Sequence, residues 1–242
     1  MDIFELILFF ALALLAEIIG TIGGFGSSVL FVPVASLFFD FHSVLGITAV
    51  FHLSSNASKI YLFKKGVDKK LLIRFGIPSI VGVIIGALAS NYINAEKLEF
   101  SLGIFLVILA VVLLVFRNFK PDKASLIIPG SGAVSGLTAG LLGTGEAVRG
   151  LALSSLALGK DSFIATSAII DMGIDLSRTV VYGINGYIHK HDLYLIPVLI
   201  VIGFAGTYAG RFLLKYVSEA MFKNIVLLLV AAIGISLIIQ KL

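Results

Sequence analysis

The residues most able to do chemistry are ionisable side chains that lie inside otherwise apolar segments. Two segments carry a polar stripe at positions i, i+4 and i+7, formed by His52, Asn56 and Lys59 in one and by Asp171, Asp175 and Arg178 in the other. This spacing places each set of three on one face of a helix. Charge inside a bilayer is costly, so such residues normally face a partner or a water-filled cavity. The two stripes therefore predict a polar interior between two helices.

Three cations in these segments could hold a small anion: Lys59, Arg149 and Arg178. A competing interpretation is that the charges neutralise one another along their own helices, since Asp175 with Arg178 and Glu146 with Arg149 are both i,i+3 pairs. Lys59 has no acid on its own helix. A bound anion would supply its counter-charge, or the side chain would extend to the membrane surface and serve only as an anchor.

Four residues are candidates for moving protons: Glu17, His52, Asp171 and Glu146. His52 titrates near neutral pH in its ordinary state, although a hydrogen-bonded core histidine explains it as well. Glu17 could pair with Lys59 or a histidine, or could relay a proton. Histidines 189 and 191 are expected to be solvated in a loop.

Composition places these residues in a membrane protein. Of the 242 residues, 59% are hydrophobic and 13% are charged, whereas a soluble domain has about 25% charged residues. Several apolar runs approach the roughly 18 to 20 residues that span hydrocarbon. The chain contains no cysteine and no H-E-x-x-H motif, so we expect no metal site, no cofactor and no enzymatic activity.

The basic residues indicate topology, not nucleic-acid binding. The formal net charge is +4, but the bases stand at helix ends, with five of them in the loop 64–74. Short cytoplasmic loops are enriched in lysine and arginine. We therefore expect a multi-pass membrane protein, with the loops 64–74 and 117–123 in the cytoplasm and both termini external.

The chain repeats itself. Residues 24–59 align without gaps on residues 143–178, so that Gly24 and Gly26 correspond to Gly143 and Gly145. After a longer loop the match resumes, and the pair Gly82/Gly86 corresponds to Gly206/Gly210. The sequence predicts a first helical repeat at 1–118, a cytoplasmic linker at 119–125 and a second repeat at 126–242. The small-xxx-small pairs predict close helix packing.

Each repeat divides into about five helical segments, which gives 8 to 10 membrane segments in all. An odd number inverts the second repeat relative to the first. The segments 26–39 and 145–159 are too short to span hydrocarbon at about 1.5 Å per residue. Because a glycine-rich break precedes each one, we expect broken or re-entrant helices that meet near the midplane. Gly24, Gly26, Gly143 and Gly145 would then lie at the substrate site, together with Asn56 and Asp175.

Three motifs carry a resemblance to a known family: Gly23-Gly-Phe-Gly26 followed by Pro33, Gly140-Leu-Leu-Gly-Thr-Gly145, and Ala165-Thr-Ser167. Together they resemble the sulfite exporter TauE/SafE family of membrane transporters. The resemblance implies an inner-membrane permease for small sulfur-containing or organic anions, such as sulfite or sulfonates, with no ATPase of its own. Glu146 and Arg149 depart from the repeat, since the first copy has Ser27 and Leu30 there.

These observations predict a secondary transporter for a small anion, coupled to protons and working by alternating access between the repeats. Lys59, Arg149 and Arg178 would hold the anion. The alternative is a cation- or proton-coupled transporter of another solute that uses Glu146, Asp171 and Asp175. The expected partners are the small anion and membrane lipid, and no nucleic acid is expected. A homodimer is a further possibility that the sequence does not decide.

Overall fold

The structure is a computed structural model that describes residues 2–23, 26–63, 66–115, 124–154, 156, 158–213, 216 and 219–239. The predicted site residue Gly24 and the predicted linker loop 117–123 lie outside these residues. The described chain is built of helices, with no strand among its described residues. The fold is therefore all-α, as the sequence predicts.

Within the described residues, six α-helices lie in the first half of the chain and five in the second. The first half comprises α1 (Ile3–Gly23), α2 (Ser28–Ala35), α3 (Phe41–Leu62), α4 (Lys69–Leu71), α5 (Ile77–Ser90) and α6 (Ala95–Val115). The second half comprises α7 (Ala124–Leu142), α8 (Glu146–Ser154), α9 (Lys160–Ile184), α10 (Leu195–Leu213) and α11 (Glu219–Ile239). A π-helical turn, Leu72–Gly76, joins α4 to α5, and a 3-10 turn, Lys190–Asp192, precedes α10.

The predicted loop 64–74 is partly wrong, because helix begins within it. Asp68 accepts hydrogen bonds from the N–H groups of Lys70 and Leu71 and so caps a helical stretch that starts at Lys69. An aspartate at this position satisfies N–H groups that have no partner inside the helix. The basic residues Lys69, Lys70 and Arg74 therefore stand on the first turns of a membrane helix.

In the part of the chain that the structure describes, four helical stretches are long and apolar enough to cross a membrane: Ile3–Ile22, Lys69–Ser90, Ala95–Val115 and Leu195–Leu213. Two shorter apolar stretches, Ile127–Leu142 and Val230–Ile239, add to them. Their exposed faces carry large apolar side chains, as expected where lipid is the solvent. The protein is thus a polytopic membrane protein.

The polar helices α3 and α9 cross the middle of the molecule in opposite directions. Near the start of α3, Ser43 contacts His189, which follows the end of α9. Beyond the end of α3, the carbonyl oxygen of Gly66 accepts a hydrogen bond from Ser162 at the start of α9. Antiparallel α3 and α9 are what an inverted repeat requires, since they are the third helices of the two copies.

The glycine pairs pack helices closely. A β-carbon added at Gly82 or Gly86 would overlap backbone atoms of α7, and one added at Gly206 or Gly210 would meet Glu17 or Thr21 of α1. Helix α5 therefore lies on α7 just as α10 lies on α1. The predicted packing role of these glycines is confirmed.

The short helices α2 and α8 are the interrupted ones. Helix α2 has 8 residues, so it rises only about 12 Å. Both are shorter than the predicted ranges 26–39 and 145–159. Gly26 and Gly143, in the turns before them, have φ of 88° and 75°, a region that glycine enters at little cost. The starts of α2 and α8 meet in the interior, where Gly26 lies against Glu146.

Candidate functional site

The first buried cluster surrounds Glu17 of α1. Lys59 of α3 places its Nζ 3.2 Å from Glu17 Oε1, and only 7% of Lys59 is exposed. Four hydroxyl groups also donate to this carboxylate: those of Ser27 at 2.6 Å, Ser55 at 2.5 Å, Thr207 at 2.9 Å and Thr21 at 3.1 Å. Lys59 therefore has an acid partner on a different helix. It does not extend to the surface, and its counter-charge comes from Glu17, which was one of the possibilities predicted for that acid.

The second cluster lies where the two short helices meet. The backbone N–H and the hydroxyl of Ser28 both donate to Oε2 of Glu146, at 2.8 and 2.6 Å. Ser28 also contacts the hydroxyl of Thr144 at 3.1 Å. Because Ser28 begins α2 and Glu146 begins α8, a side chain from one half of the chain caps the short helix of the other.

His52 of α3 lies between these two clusters. Its Nε2 is 3.2 Å from the hydroxyl of Ser27, and its Nδ1 is 3.7 Å from Oε1 of Glu146. Since Ser27 also bonds Glu17, a line of polar groups runs from Glu17 through Ser27 and His52 to Glu146. The line joins the two halves of the chain, and its last step, the 3.7 Å from His52 Nδ1 to Glu146 Oε1, is longer than a hydrogen bond.

The third cluster ties α9 to the turn before α8. Asp175 accepts hydrogen bonds from Asn56 at 2.7 Å and from Nε of Arg178 at 2.8 Å. Arg178 also donates to the carbonyl oxygen of Gly143 at 2.8 Å, and the hydroxyl of Tyr182 donates to that of Gly140 at 2.8 Å. The pairing of Asp175 with Arg178 that the spacing suggested is thus present. It also holds the glycine turn in place.

The suggested pairing of Glu146 with Arg149 is wrong. Arg149 forms its ion pair with Asp171 of α9, one turn from Asp175. Glu146 instead faces Ser28 and His52. Arg149 is 2% exposed, and its Nε has no hydrogen-bond partner among the described residues. The Nε–H group of this buried guanidinium is therefore available to donate a further hydrogen bond.

Among the described residues, the charges of these clusters leave no surplus of positive charge for an anion. Among the described residues, four buried carboxylates stand in this interior: Glu17, Glu146, Asp171 and Asp175. Three permanent cations face them: Lys59, Arg149 and Arg178. Each cation already has an acid partner. A further anion entering this interior would therefore need a displaced partner or an added proton.

A small cavity lies beside the junction of α2 and α8. It measures about 10 Å³, which is at the limit for one water molecule. Its lining comprises Ser28, Ala139, Gly143, Gly145, Glu146, Asp171, Ile174, Asp175 and Arg178. The lining combines both glycines of the second turn with three of the carboxylates and one guanidinium. This cavity by itself is too small for an oxyanion.

A larger groove of about 420 Å³ opens beside the end of α3, and the residues of its lining are all uncharged: Ala57, Ile60, Tyr61, Phe63, Val67, Ala165 and Ile169. Nothing in that lining could select a charged solute. We therefore place the candidate site at the smaller, polar cavity.

Most of the predicted site residues meet in this interior. Gly145 lines the cavity, and its carbonyl oxygen accepts a hydrogen bond from Ser135 at 2.8 Å. Sequence reasoning missed the short hydroxyl residues: Ser27, Ser28, Ser55, Thr144 and Thr207. Adjacent serines directly after a glycine-rich break were the available signal for two of them, because serine is favoured at helix starts. Thr207 gave no such signal, since it lies far along the chain on α10.

The predicted solvated histidines form a separate group at the molecular surface. His191 is exposed, but His189 lies 2.8 Å from the hydroxyl of Ser43 and 3.6 Å from Asp192. Burial favours the neutral form of Asp40, which caps α3, yet hydrogen bonds from Ser43 outweigh it and hold the pKa of this carboxyl below its usual value. His189, His191 and Asp192 are close enough together to hold a metal ion. The contact with Ser43 ties the α9–α10 connection to the start of α3.

Comparison with known protein families gives one result, and it covers nearly the whole chain. Residues 9–237 match the family described as sulfite exporter TauE/SafE. Neither curated proteins nor solved structures gave a match. The matched region includes α2 and α8, the polar faces of α3 and α9, and every charged residue of the buried clusters. On this match, the chain belongs to the sulfite exporter TauE/SafE family of membrane transporters.

Proposed function

We propose that the protein is a secondary transporter for a small anion, of the sulfite, sulfonate or related organic-anion class. The site lies between the two halves of the chain, at the junction of α2 and α8. Transport proceeds by alternating access, in which the repeats rock or gate around that site. The protein works in the cell (inner) membrane, with both termini external.

The observation that carries this proposal is the position of Arg178. Its guanidinium lines the cavity, is 2% exposed and reaches both Asp175 and the turn at Gly143. A planar guanidinium presents donors in a geometry that matches the oxygens of sulfonate and carboxylate groups. Family membership supports the same class of solute.

The small size of the cavity fits one stage of such a cycle. A space at the limit for a single water cannot hold an oxyanion. Substrate must therefore enter a conformation in which α2 and α8 have moved apart. Closure around a central site that both halves contribute is what alternating access requires.

Thermal unfolding in detergent tests the anion assignment. Sulfite or methanesulfonate should raise the melting temperature of the wild type, because a ligand that binds only the folded state stabilises it by about 2.7 kcal/mol at a hundred times its Kd. Arg178→Ala should lose this effect, whereas Lys97→Ala, which removes an exposed cation from α6, should keep it. If sulfite, sulfonates and carboxylates all leave the wild-type melting temperature unchanged, the proposal fails.

One observation favours the alternative of a cation-coupled transporter. Three carboxylates, those of Glu146, Asp171 and Asp175, line the cavity, against Arg178 alone among the cations of its lining. Such a set of oxygens suits a hard cation or a proton. Liposome flux measurements with labelled anions and labelled cations separate the two functions, because only the transported species accumulates.

A further inference from the structure

The start of α2 is capped in an unusual way. Ser27 occupies the N-cap position, but its hydroxyl makes no cap hydrogen bond and donates to Glu17 instead. Glu146 of α8 takes over that role, since its Oε2 accepts from both the N–H and the hydroxyl of Ser28. The free N–H groups and the dipole at a helix start favour negative charge. In this conformation the negative charge comes from the protein itself.

The residues around the carboxylate of Glu146 form a site that fits an anionic group. Gly26 has φ of 88°, and a β-carbon there would overlap the carboxyl group of Glu146. His52, which is 1% exposed, points its Nδ1 at Oε1 of Glu146 from 3.7 Å, and that nitrogen has no hydrogen-bond partner among the described residues. The cavity lies on the other side, lined by Ser28 and Glu146. A buried polar atom without a hydrogen-bond partner needs an explanation, and a polar group bound next to Glu146 would supply the partner that the Nδ1 of His52 lacks.

We propose that the carboxylate of Glu146 occupies the place of the transported anion, so that an anion binds at Ser28 only after Glu146 has taken up a proton and moved aside. The transporter then carries one proton with each monovalent anion. This inference rests on the proposed function and adds its coupling mechanism. The proton comes from a hydronium ion of the solvent: one of its O–H bonds breaks, an O–H bond to a carboxylate oxygen of Glu146 forms, and a water molecule is left.

Electrostatic repulsion requires that Glu146 lose its negative charge before a substrate anion binds at Ser28. A carboxylate and a substrate anion need the same donors at Ser28, and hydrogen bonds to a charged acceptor are roughly twice as strong as those to a neutral one. Neutralising Glu146 therefore releases those donors. Because the interior already holds four carboxylates against three permanent cations, an anion that arrived alone would add uncompensated charge. An anion that arrives with a proton leaves the balance unchanged.

Other charged groups surround Glu146, and the experiment must show whether Glu146 or one of them takes up the proton. They are His52 and Lys59 of α3, Arg149 of α8, and Asp171, Asp175 and Arg178 of α9. His52 is the chief competitor as the proton acceptor, since it contacts both Glu146 and Ser27. The cations hold their charge at neutral pH, so they cannot be the source of proton uptake.

The test is the pH dependence of methanesulfonate binding to the full chain in detergent. Methanesulfonate stays a monoanion across the range used, so any pH dependence belongs to the protein. For the wild type, the Kd should rise about tenfold per pH unit between about pH 5.5 and about pH 8, and binding should take up one proton per anion. Glu146→Gln should bind with a Kd that does not change with pH and should take up no proton.

Three further variants make the result specific. Glu146→Asp keeps a titratable carboxyl and should keep the pH dependence. Glu96→Gln removes an exposed acid of α6 and should behave as the wild type. His52→Gln should also keep the pH dependence, because the proton resides on Glu146. Melting curves of all variants show which of them fold.

The outcomes separate this inference from the proposed function. If the wild type binds methanesulfonate with a Kd independent of pH, the inference is overturned while the anion transporter stands. It is also overturned if Glu146→Gln keeps the pH dependence, since the proton then resides on another group of this interior, such as His52, Asp171 or Asp175. If the folded wild type binds no anion at any pH, the proposed function itself fails.

Discussion

Lys59 and Glu17 form a buried ion pair between α3 and α1, supported by four hydroxyl groups. Taking two charges out of water costs several kcal/mol per ion, and mutual attraction offsets this only when the remaining hydrogen bonds are satisfied. The hydroxyl groups of Ser27, Ser55, Thr207 and Thr21 satisfy the carboxylate. Glu17 therefore depends on its surroundings for its charge, and loss of Lys59 leaves it without a counter-charge.

Lys59→Met should consequently destabilise the protein strongly. Removal of one partner from a buried pair costs about 3 to 5 kcal/mol. The free energy of unfolding in mixed micelles measures the effect. Glu17→Gln combined with Lys59→Met should recover part of the loss, because no unpaired charge is left behind. Lys97→Met, at an exposed position, should stay within about 0.5 kcal/mol of the wild type. Equal stability of Lys59→Met and Lys97→Met would contradict the buried pair.

Among the described residues, the Nε of Arg149 has no hydrogen-bond partner, whereas the Nε of Arg178 donates to Asp175. A lysine at this position would keep the charge beside Asp171 but would lose the planar set of donors. Arg149→Lys should therefore keep most of the stability and weaken anion binding by about tenfold, which corresponds to about 1.4 kcal/mol. Calorimetric titration with methanesulfonate checks the affinity, and a melting curve checks the fold. Unchanged affinity would place Arg149 outside the anion site.

At the scale of the element, the turns before α2 and α8 decide where the charges meet. Gly26 combines a left-handed backbone with a close approach to Glu146. Gly186 offers a matched comparison, because its φ is 78° and open space surrounds it. Comparing an alanine substitution at Gly26 with one at Gly186 therefore separates the effect of the contact with Glu146 from the effect of the backbone conformation.

Gly26→Ala should therefore cost more than Gly186→Ala. Both carry a left-handed backbone penalty of about 1 to 2 kcal/mol, and Gly26→Ala adds an overlap of about 1 to 3 kcal/mol. Chemical or thermal unfolding of the two variants gives the comparison. Glu146→Ala introduced together with Gly26→Ala should remove most of the excess. If the two single variants are equally stable, the side chain of Glu146 does not occupy this space.

The packing of α5 on α7 depends on glycines in the same way. A β-carbon at Gly86 would overlap the backbone of α7, whereas one at Gly130 would meet nothing within 4 Å. Gly86→Ala should destabilise the protein by about 1 to 3 kcal/mol. Gly130→Ala should stabilise it by about 0.5 to 1 kcal/mol, because alanine favours the helix. Melting temperatures that shift in the same direction would contradict this assignment.

At the scale of the whole molecule, the two halves use their helices in matching ways. Helix α1 packs on α10 as α7 packs on α5, and the central helices α3 and α9 are antiparallel. This arrangement brings the starts of α2 and α8 together between the halves. A site built from both halves can open to either side when the halves move relative to each other. The orientation in the membrane stays a prediction from the charges.

Single cysteines test that orientation cleanly, since the chain has none of its own. Tyr92→Cys and His191→Cys, at residues 88% and 78% exposed, should react with an impermeant maleimide added outside intact cells. Lys70→Cys should react only after the membrane is opened, because basic segments stay in the cytoplasm. The reverse labelling pattern would invert the topology, and labelling of all three from outside would contradict a cytoplasmic position for Lys70.

The sequence by itself determined the class of protein, the approximate positions of the long helices and the residues that carry charge into the interior. Those features are local or periodic: apolar runs long enough to span lipid, glycine breaks, and polar stripes at helical spacing. They can be read without knowing which helices touch. The repeat added the expectation that Gly26 and Gly145 would lie near each other.

Only the tertiary structure decided which charges pair. Sequence spacing suggested Glu146 with Arg149, yet Arg149 pairs with Asp171 and Glu146 caps α2. Spacing likewise gave Lys59 no partner, while Glu17 on another helix supplies one. The physical reason is that a buried charge selects the partner with the best geometry in three dimensions, and helix packing brings distant residues closer than their neighbours along the chain.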